Sequence, residues 1–256
     1  MRWSPSNVNS LSPSRAAALD GGLRVVSFNL HAGRDATGAP AFERQLDLLR
    51  ELSPDLLAIQ EADRNWPRSG GVDHCRELAA ALDMHAFFSP NLQGDWAPGR
   101  VAHQFGIALL WKGVAEPIVG LGLPAVPGRE HRGLACLELQ IDGRYLVFAT
   151  THLGRSAPER LAQARFVADW LTAIDCPVIL AGDFNMIPES PEYRILASCA
   201  TDVTAGLDLV TFPGDVPDPQ RDYVFTTGGV AVGTVQAVKW DTSDHRPVVV
   251  EVLAAD

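Results

Sequence analysis

Apolar residues along the chain follow two patterns, which predict strands and helices respectively. Short and nearly continuous apolar runs are typical of strands that are buried on both faces. Such runs predict strands over these segments: Leu23–Leu30, Asp55–Gln60, Phe105–Trp111, Leu134–Ile141, Tyr145–Thr151, Pro177–Ala181, Tyr223–Phe225, Ala231–Val238 and Pro247–Val252. Apolar residues at steps of three and four positions predict helices over Ala41–Leu52, around His74–Leu82 and from Leu161 to Ile174.

Turn signals separate these elements and limit the choice of fold. Ser53-Pro54 ends the first helix, and Pro158 suits the first turn of the last one. Asp142-Gly143 predicts a tight hairpin between two neighbouring strands. Hairpins are incompatible with a purely parallel, doubly wound sheet. The pattern therefore predicts an α/β fold in which two mixed β-sheets pack together with helices outside.

The chain length suits one folded domain preceded by a short tail, since the 256 residues are 46% hydrophobic. Residues 1–21 are rich in Ser, Pro and Asn and are predicted to form a flexible N-terminal tail, which leaves 22–256 as a single catalytic domain. The tail lacks the hydrophobic stretch of a secretory signal. No apolar run approaches the roughly 18–20 residues of a membrane span. We therefore expect no integral membrane segment and a cytoplasmic location.

The charged residues argue against tight, non-specific binding to nucleic acid. Lys and Arg total 21 against 31 Asp and Glu, which gives a formal net charge of −10. Such binding requires many basic contacts to phosphates, and the sequence contains no basic run. Apart from Lys112 and Lys239 the cations are arginines, which grip phosphate or carboxylate with two nitrogens. Interleaved arginines such as Arg68, Arg129 and Arg132 can gather around one pocket and hold one or two phosphates.

The four cysteines, Cys75, Cys136, Cys176 and Cys199, are scattered along the chain. No two of them lie at the spacing of a zinc site. Because no signal peptide directs the chain to an oxidising compartment, we expect four free thiols rather than two disulfide bridges.

Polar residues end several of the predicted strands. Those at the ends of four apolar runs are Asn29, Gln60-Glu61, His152 and Asp183-Phe184-Asn185. If these strands are neighbours, their ends converge on one rim, where the ligand sites of layered α/β folds collect. Asp222, Asp244 and His245 lie at strand starts, and they meet the others if their strands run the opposite way. Each residue taken alone also has a simpler interpretation as a turn former, a cap or a solvated charge.

The chemistry of this polar set is specific if the strand ends meet. Carboxylate and amide oxygens without cysteine suit a hard cation, Mg²⁺ or Mn²⁺, and not zinc. A hard cation beside a histidine and several carboxylates suits hydrolysis of a phosphate ester. The metal neutralises charge on the phosphoryl group, and a carboxylate activates the attacking water.

The polar residues and their neighbours form six motifs in a fixed order along the chain. The motifs are Ser27-Phe28-Asn29, Ile59-Gln60-Glu61, Thr151-His152-Leu153, Gly182-Asp183-Phe184-Asn185, Asp222-Tyr223-Val224-Phe225 and Ser243-Asp244-His245. This set resembles the endonuclease/exonuclease/phosphatase superfamily and covers Leu23 to about Val252. The resemblance implies a four-layer α/β/β/α sandwich, which agrees with the strand pattern. It also implies a hydrolase that acts on phosphoric esters with Mg²⁺ or Mn²⁺.

The resemblance implies roles for the metal site and for the groups around the attacking water. Glu61 is the principal metal carboxylate, and Asn29 lies beside it. Asp183 orients or deprotonates the attacking water, and Asn185 donates a hydrogen bond to the phosphoryl group.

The same resemblance implies roles for two histidines and their neighbours. His152 lies across the scissile phosphate, and His245 contacts the phosphate or stabilises the pentacoordinate transition state. Asp244 orients His245 or binds a metal, and Asp222 positions a neighbouring group, often the second histidine. A carboxylate beside an imidazole fixes its tautomer and favours its charged form.

Three further segments resemble a compact bacterial subgroup of phosphoesterases. They are Asn29-Leu30-His31-Ala32-Gly33, Arg68-Ser69-Gly70-Gly71-Val72-Asp73 and Glu130-His131-Arg132-Gly133. Arg132 is expected to pair with a phosphate oxygen, and Arg68 and His31 are expected to line the pocket. Two alternatives stay open, in which Arg68 forms a loop salt bridge and His31 contacts only a neighbouring carboxylate.

The sequence therefore predicts a metal-dependent phosphodiesterase, and we expect a monomer. The acidic charge and the lack of a basic helix favour a small molecule or a lipid head group as the substrate. A nuclease acting on DNA or RNA is the alternative enzyme. A phosphate-binding protein without turnover is a further alternative, against which the intact set of Glu61, Asp183, Asn185 and His245 argues. Residues 93–100 are a candidate substrate-facing loop.

Overall fold

The apolar runs form β-strands in the computed structural model, which describes residues 22–94, 102–141, 144–212 and 220–253. The described strands are β1 (Leu23–Asn29), β2 (Leu56–Arg64), β3 (His85–Gln93), β4 (Gln104–Trp111), β5 (Ala115–Gly122), β6 (Gly133–Ile141), β7 (Arg144–His152), β8 (Val178–Asp183), β9 (Thr201–Asp202), β10 (Asp222–Thr226), β11 (Val232–Ala237) and β12 (Val248–Val252). The described helices are α1 (Phe42–Leu52), α2 (His74–Leu82), α3 (Ala157–Thr172) and α4 (Pro191–Ala197). The predicted tail, the hairpin centre Asp142-Gly143 and residues 95–100 of the candidate loop lie outside the described residues.

The strands pair into two six-stranded sheets, and both sheets are mixed. The first sheet has the strand order β11-β12-β1-β2-β4-β3, and the second has the order β5-β6-β7-β8-β10-β9. Each sheet has one parallel pair among its described pairs, β1 with β2 and β7 with β8, and the other described pairs are antiparallel. The carboxyl ends of two adjacent strands therefore lie together at one edge of each sheet.

The apolar runs are continuous because both faces of each sheet are buried. In β1, Val25 packs in the core between the two sheets, whereas Val26 packs against the helices, and neither is exposed. Helices α1 and α2 cover the outer face of the first sheet, and α3 and α4 cover that of the second. Complete burial of an aliphatic side chain contributes roughly 1.5–3 kcal/mol, so these three apolar layers dominate the stability. The predicted four-layer α/β/β/α sandwich is confirmed.

The apolar pattern does not predict two long edge strands and one short helix. Strand β3 carries Pro90 and mostly exposed or half-buried side chains, so it lacks the apolar run of a central strand. Strand β5 also lies at a sheet edge and contains Pro117. Helix α4 is short, but it has a recognisable start, because the Ser190 side chain caps it and Pro191 occupies its first turn.

Two element ends show how local geometry sets the boundaries. Helix α1 ends at Leu52 as predicted, and Ser53 follows in a left-handed conformation with φ 47°. Strand β2 runs on to Arg64, beyond the predicted end at Gln60. This extension matters for the site, because it carries Glu61 within the sheet rather than in a loop.

None of the helices in the described part of the chain is long and apolar enough to cross a membrane. All four cysteines are free, as predicted, and Cys75 and Cys136 are buried. Burial raises the pKa of both buried thiols to about 12. Both therefore stay protonated at neutral pH and are poor nucleophiles.

Candidate active site

Strand register brings the predicted polar residues together at one edge of the two sheets. In the second sheet, His152 pairs with Asp183 across β7 and β8, and Asp183 pairs with Asp222 across β8 and β10. In the first sheet, Asn29 at the end of β1 pairs with Gln60 of β2. Asn29 Nδ2 donates a hydrogen bond of 3.0 Å to Asp183 Oδ2 and so joins the two edges. The strand ends therefore converge, as the sequence predicts.

Glu61 enters this edge from a β-bulge. Two residues of β2, Gln60 and Glu61, lie opposite the single Ile107 of β4, and Glu61 has a left-handed backbone with φ 56°. A bulge re-aims a side chain out of the regular alternation of a strand. The Glu61 side chain is 13% exposed, and its Oε1 lies 4.0 Å from His152 Nε2. Burial and the charge of Asp183 raise the pKa of Glu61, and they outweigh the charge of His245 and the Asn29 side chain, which lower it.

Backbone strain is concentrated around the same edge. Asn185, His31 and Ala32 also have left-handed backbones, with φ values of 49°, 49° and 54°. Each such residue costs on the order of 1–3 kcal/mol, and such residues cluster at functional sites. Gly33 continues the turn after β1 with φ 75°, and a Cβ at this position would lie 2.9 Å from the His74 ring. The turn that follows Asn29 is therefore tightly constrained.

Asp183 lies at the centre of the cluster. Its Oδ1 accepts a hydrogen bond of 2.9 Å from the Asn185 backbone N–H. Its Oδ2 lies 3.3 Å from His152 Nε2 and 3.6 Å from His245 Nε2. Burial raises the pKa of Asp183 to about 6, although the charge of His245 opposes the rise. A carboxylate with a pKa near the working pH is well suited to accept a proton.

The His245 imidazole is paired with a carboxylate. Its Nδ1 lies 2.9 Å from Asp222 Oδ2, and both residues are buried. Burial opposes the charged ring, but the carboxylates of Asp222 and Asp183 outweigh burial and raise the pKa of His245 to about 10. The ligand atoms of Asp183, Asp222 and His245 are also spaced closely enough to hold a metal ion. We favour the ion-pair interpretation of this triad, because a doubly protonated imidazole has no lone pair for a metal.

The His152 imidazole is paired with a cation instead. Arg132 Nη1 lies 2.9 Å from His152 Nδ1, and this nitrogen must accept the hydrogen bond because a guanidinium only donates. The proton of the neutral ring is therefore on Nε2, which faces Asp183. Burial and the charges of Arg132 and His245 hold the pKa of His152 well below its usual range. His152 is thus a neutral hydrogen-bond donor at neutral pH.

Three other predicted residues lie near these two rings. Asn185 Nδ2 donates a hydrogen bond of 2.9 Å to the Leu153 carbonyl oxygen, and this places the amide 3.0 Å from His152 Nε2 without a hydrogen bond between the two N–H groups. Asp244 Oδ1 lies 3.6 Å from His31 Nδ1, so His31 does contact a neighbouring carboxylate. It is Asp222, and not the adjacent Asp244, whose carboxylate contacts the His245 ring.

A cleft with two lobes lies beside the cluster, and several residues of the cluster or its partners line it. The arginine lobe is a cavity of about 420 Å³ that includes Glu61 in its wall. The charged residues that line it are Arg34, Arg68, Arg129, Arg132, Arg155, Glu61, Glu130 and Glu159. The histidine lobe is a cavity of about 580 Å³ lined by residues that include Asn185, Asp244 and His245. His31 and Arg155 line both lobes, which are therefore neighbours in one cleft.

The two arginines predicted to bind substrate lie in the arginine lobe, and both also contact protein groups. Arg68 donates from Nε and Nη2 to both oxygens of Asp63, at 2.9 and 2.6 Å, and the Asp63 side chain is fully buried. Arg68 thus forms the salt bridge that the sequence left open as its alternative. The Arg132 side chain is 6% exposed, and its Nη1 also lies 3.0 Å from Glu130 Oε1.

Two features of the site were not predicted from the sequence: Arg155, and the pairing of Arg132 with His152. Arg155 follows His152 by three residues, and this short spacing was the available signal. The Arg132–His152 contact was also accessible, because β6 and β7 form a hairpin in which Ile141 pairs with Arg144. Counting the antiparallel register back from that hairpin places the start of β6 beside the end of β7.

Comparison with known proteins agrees with the motifs. A family model described as Endonuclease/Exonuclease/phosphatase family matches residues 26–245. Nocturnin from Xenopus laevis is 32% identical over 218 residues, which cover 77% of this chain and 53% of Nocturnin. The chain spans about half the length of the curated relatives it matches.

Solved structures share the four-layer fold. The endonuclease/exonuclease/phosphatase from Beutenbergia cavernae has a TM-score of 0.74 and 24% identity, covering 92% of this chain and 72% of that one. The human Nocturnin catalytic domain with bound sulfate anion has a TM-score of 0.69 and 20% identity, covering 93% and 96%. The family model spans most of the chain, and the residues of the cluster lie within the matched segment. The chain therefore belongs to the endonuclease/exonuclease/phosphatase family, whose members are hydrolases acting on phosphoester bonds.

Proposed function

We propose that the chain hydrolyses a phosphodiester of a small molecule or lipid head group, with water as the nucleophile and Mg²⁺ or Mn²⁺ as the cofactor. The observation that carries this proposal is the position of Asp183. Its buried Oδ2 lies 3.3 Å from one imidazole and 3.6 Å from a second, and the second imidazole, His245, lines the cleft. A proton acceptor held between two imidazoles suits the attack of water on phosphorus.

The side chains of the cleft fit a hard divalent cation. Glu61, Asp183 and Asp244 bring carboxylate oxygens to this edge, and oxygen donors are those that Mg²⁺ and Mn²⁺ prefer. The raised pKa of Glu61 indicates a buried carboxylate whose charge the protein compensates only in part. We assign Glu61 and Asp244 as the ligands, with Asn29 beside them. When bound, the ion would neutralise charge on the phosphoryl group.

Asn29 also has a positioning role in this proposal. Its Oδ1 accepts a hydrogen bond of 2.9 Å from the His31 backbone N–H, and its Nδ2 donates to Asp183. Both ends of the amide are therefore engaged, and the amide holds the Asp183 carboxylate in place. The strained turn from His31 onward fixes the donor of the first of these hydrogen bonds.

The protein groups divide the remaining chemistry. Asp183 accepts the proton of the attacking water, since a carboxyl group with a pKa of about 6 is ionised at neutral pH. His245, held cationic by Asp222, stabilises negative charge as it develops on the phosphoryl oxygens. His152 directs its Nε2 proton at the Asp183 carboxylate and holds it in place. Asn185 donates an amide N–H to the phosphoryl group.

The charge of the chain favours a compact substrate over nucleic acid. The formal net charge of −10 repels a polyanion at long range. The arginines of the arginine lobe surround a cavity of about 420 Å³. A cavity of this size suits a compact ligand, whereas a nucleic acid strand needs an extended groove along its phosphate backbone. Cleavage of DNA or RNA is the competing function, and a phosphate-binding protein without turnover is the remaining one.

A substrate panel tests the proposal. Wild-type protein is assayed against a small aryl phosphodiester and plasmid DNA with Mg²⁺, Mn²⁺ or chelator, at about 0.15 M salt. We expect metal-dependent hydrolysis of the small ester and only weak, salt-sensitive action on DNA. Efficient cleavage of DNA with little turnover of the small ester would establish the nuclease instead. No hydrolysis of either substrate would favour the binding protein.

The metal assignment has its own test in Glu61→Gln. Removing this carboxylate should weaken Mn²⁺ binding measured by calorimetry and depress hydrolysis, because the amide carries no charge. Glu43→Gln is the matched control, since Glu43 is exposed on α1. Unchanged Mn²⁺ affinity in Glu61→Gln would refute the assignment of this ligand.

A further inference from the structure

The five arginines of the arginine lobe differ in what their guanidinium groups contact. Arg68 donates from two nitrogens to the buried carboxylate of Asp63. Arg34 donates from two nitrogens to backbone carbonyl oxygens, at 2.7 and 2.8 Å. Arg132 uses Nη1 for the His152 ring. These three guanidinium groups therefore have structural partners within the protein.

Arg129 and Arg155 are different. Neither guanidinium forms a hydrogen bond or an ion pair within the part of the chain that the structure describes, and both residues are exposed at the wall of the lobe. The charge of Arg155 nevertheless acts on the His152 ring and on the Glu130 carboxyl group, so it lies close to the reacting edge. Two cations thus face the lobe with their donors unused.

Arg132 supplies an independent observation. Its side chain is 6% exposed and lines the lobe, yet its Nε is buried and has no hydrogen-bond partner among the described residues. A buried donor without an acceptor costs roughly 1–3 kcal/mol, more for a charged group. The charge of this guanidinium is therefore incompletely compensated at the wall of the lobe, where an anion would stabilise it.

The charge balance of the lobe favours an anionic ligand. Five arginines line it against three glutamates, although the whole chain carries −10. One of the glutamates, Glu61, belongs to the proposed metal site. The lobe shares His31 and Arg155 with the histidine lobe, so one molecule can extend from the reacting edge into the arginine lobe.

We propose that the arginine lobe is a second anion site, in which Arg129 and Arg155 bind a second phosphoryl group of the substrate beside the charged guanidinium of Arg132. This inference rests on the proposed function for the scissile group. It narrows the substrate class to small molecules that carry a phosphate in addition to the hydrolysed ester. Arginine suits this task, because its planar fork matches two phosphate oxygens.

A matched pair of probes tests the second site without turnover. 1,3-Propanediol bisphosphate and propyl phosphate differ by one phosphate, and neither carries a base or a sugar. Their binding to the full-length protein is measured by calorimetry with chelator present. We expect the bisphosphate to bind at least ~10-fold more tightly, the scale of one charge-assisted contact. The double variant Arg129→Gln/Arg155→Gln should lose this preference.

Arg76→Gln is the control, since Arg76 lies on α2 outside the lobe with its side chain 75% exposed. It should keep the preference for the bisphosphate. Equal affinity of the wild-type protein for the two probes would overturn the second site, and so would a preference that survives the double variant.

Two further measurements separate this inference from its alternatives. A single-stranded oligonucleotide that binds more tightly than the bisphosphate, and weakens in the double variant, would assign the arginines to nucleic acid and overturn the small-molecule site. Hydrolysis of a small aryl phosphodiester with Mn²⁺ is followed in parallel. Its absence would refute the proposed function, whereas the calorimetric preference reports only on the anion site, so the two failures are distinguishable.

Discussion

The two histidines of the cluster have opposite electrostatic environments, although both are buried and both face Asp183. His245 has a carboxylate, Asp222, at its Nδ1, and its pKa is raised to about 10. His152 has a guanidinium, Arg132, at the same ring atom, and its pKa is held well below its usual range. Burial acts in the same direction on both rings, so the partner at Nδ1 decides the difference.

This difference shows that residue type alone does not define a role in the site. One imidazole is a fixed cation, and the other is a neutral donor whose Nε2 proton is set by its partner. A substrate held over Asp183 would have the positive charge of His245 on one side and the neutral, polar ring of His152 on the other. Substituting Asp183 removes the carboxylate that both rings share, whereas substituting Asp222 or Arg132 removes the partner of one ring only.

Asp183→Asn should have the largest effect, because both rings face this carboxylate. We expect the rate of phosphodiester hydrolysis to fall by about 10³-fold, within the range of positioned acid–base groups. The substitution is nearly isosteric, so thermal unfolding should change little. Turnover within tenfold of the wild-type rate would show that another group accepts the proton.

Asp222→Asn should convert His245 toward the state of His152. Without this carboxylate the pKa of His245 falls toward neutral pH, because only Asp183 and Asp244 then oppose burial, and part of the ring population loses its charge. We expect a rate loss of about 10²-fold that grows as the pH rises, because the remaining cation deprotonates. NMR titration of the His245 ring checks the cause, and a ring still protonated at about pH 8 would contradict it.

Arg132 can be changed in two ways that separate charge from positioning. Arg132→Gln removes the charge but keeps an amide donor for His152 Nδ1, whereas Arg132→Leu removes both. Loss of the hydrogen bond should cost about tenfold in rate, so Arg132→Leu should be more impaired than Arg132→Gln. In both variants the pKa of His152 should rise but stay low, because burial remains. Equal losses in the two variants would assign the effect to charge alone.

The fold and the membership of the cluster followed from the sequence because the signal is local. Apolar runs buried on both faces mark the central strands, and the residue that ends each run must lie at a sheet edge. Asn29, His152 and Asp183 were found in this way. The edge strand β3 gave no such signal, because Pro90 and its exposed side chains resemble a loop.

The pairing within the cluster could not be read in the same way, because sequence adjacency misleads. Asp244 is the neighbour of His245 in the chain, yet the ring contacts Asp222, which the register of β10 and β8 places beside Asp183 in the other sheet. Glu61 was found by its motif, but the bulge that aims it needs the pairing of β2 with β4. Long-range register therefore decides which partner each ring receives.

His74 is a third buried histidine, and burial is the largest influence on its pKa. Burial lowers its pKa from 6.5 to about 4, and its Nδ1 accepts a hydrogen bond from the Asp63 N–H. As the pH falls below 6.5, the unfolded chain takes up a proton that the folded protein refuses, so stability declines until about pH 4. The decline amounts to about 2 kcal/mol between pH 7 and 5.

His74→Gln keeps an acceptor for the Asp63 N–H and does not titrate, so it isolates this contribution. The variant loses the stacking of His74 on Phe42 at every pH, which shifts its stability by a constant. Its free energy of unfolding, measured by denaturant titration, should therefore fall less steeply toward acid than that of the wild-type protein. Parallel pH profiles would mean that the folded protein protonates His74 as easily as the unfolded chain does. Burial alone would then not lower the pKa of a histidine in this fold, and the low pKa of His152 would rest on the charges around it, chiefly Arg132.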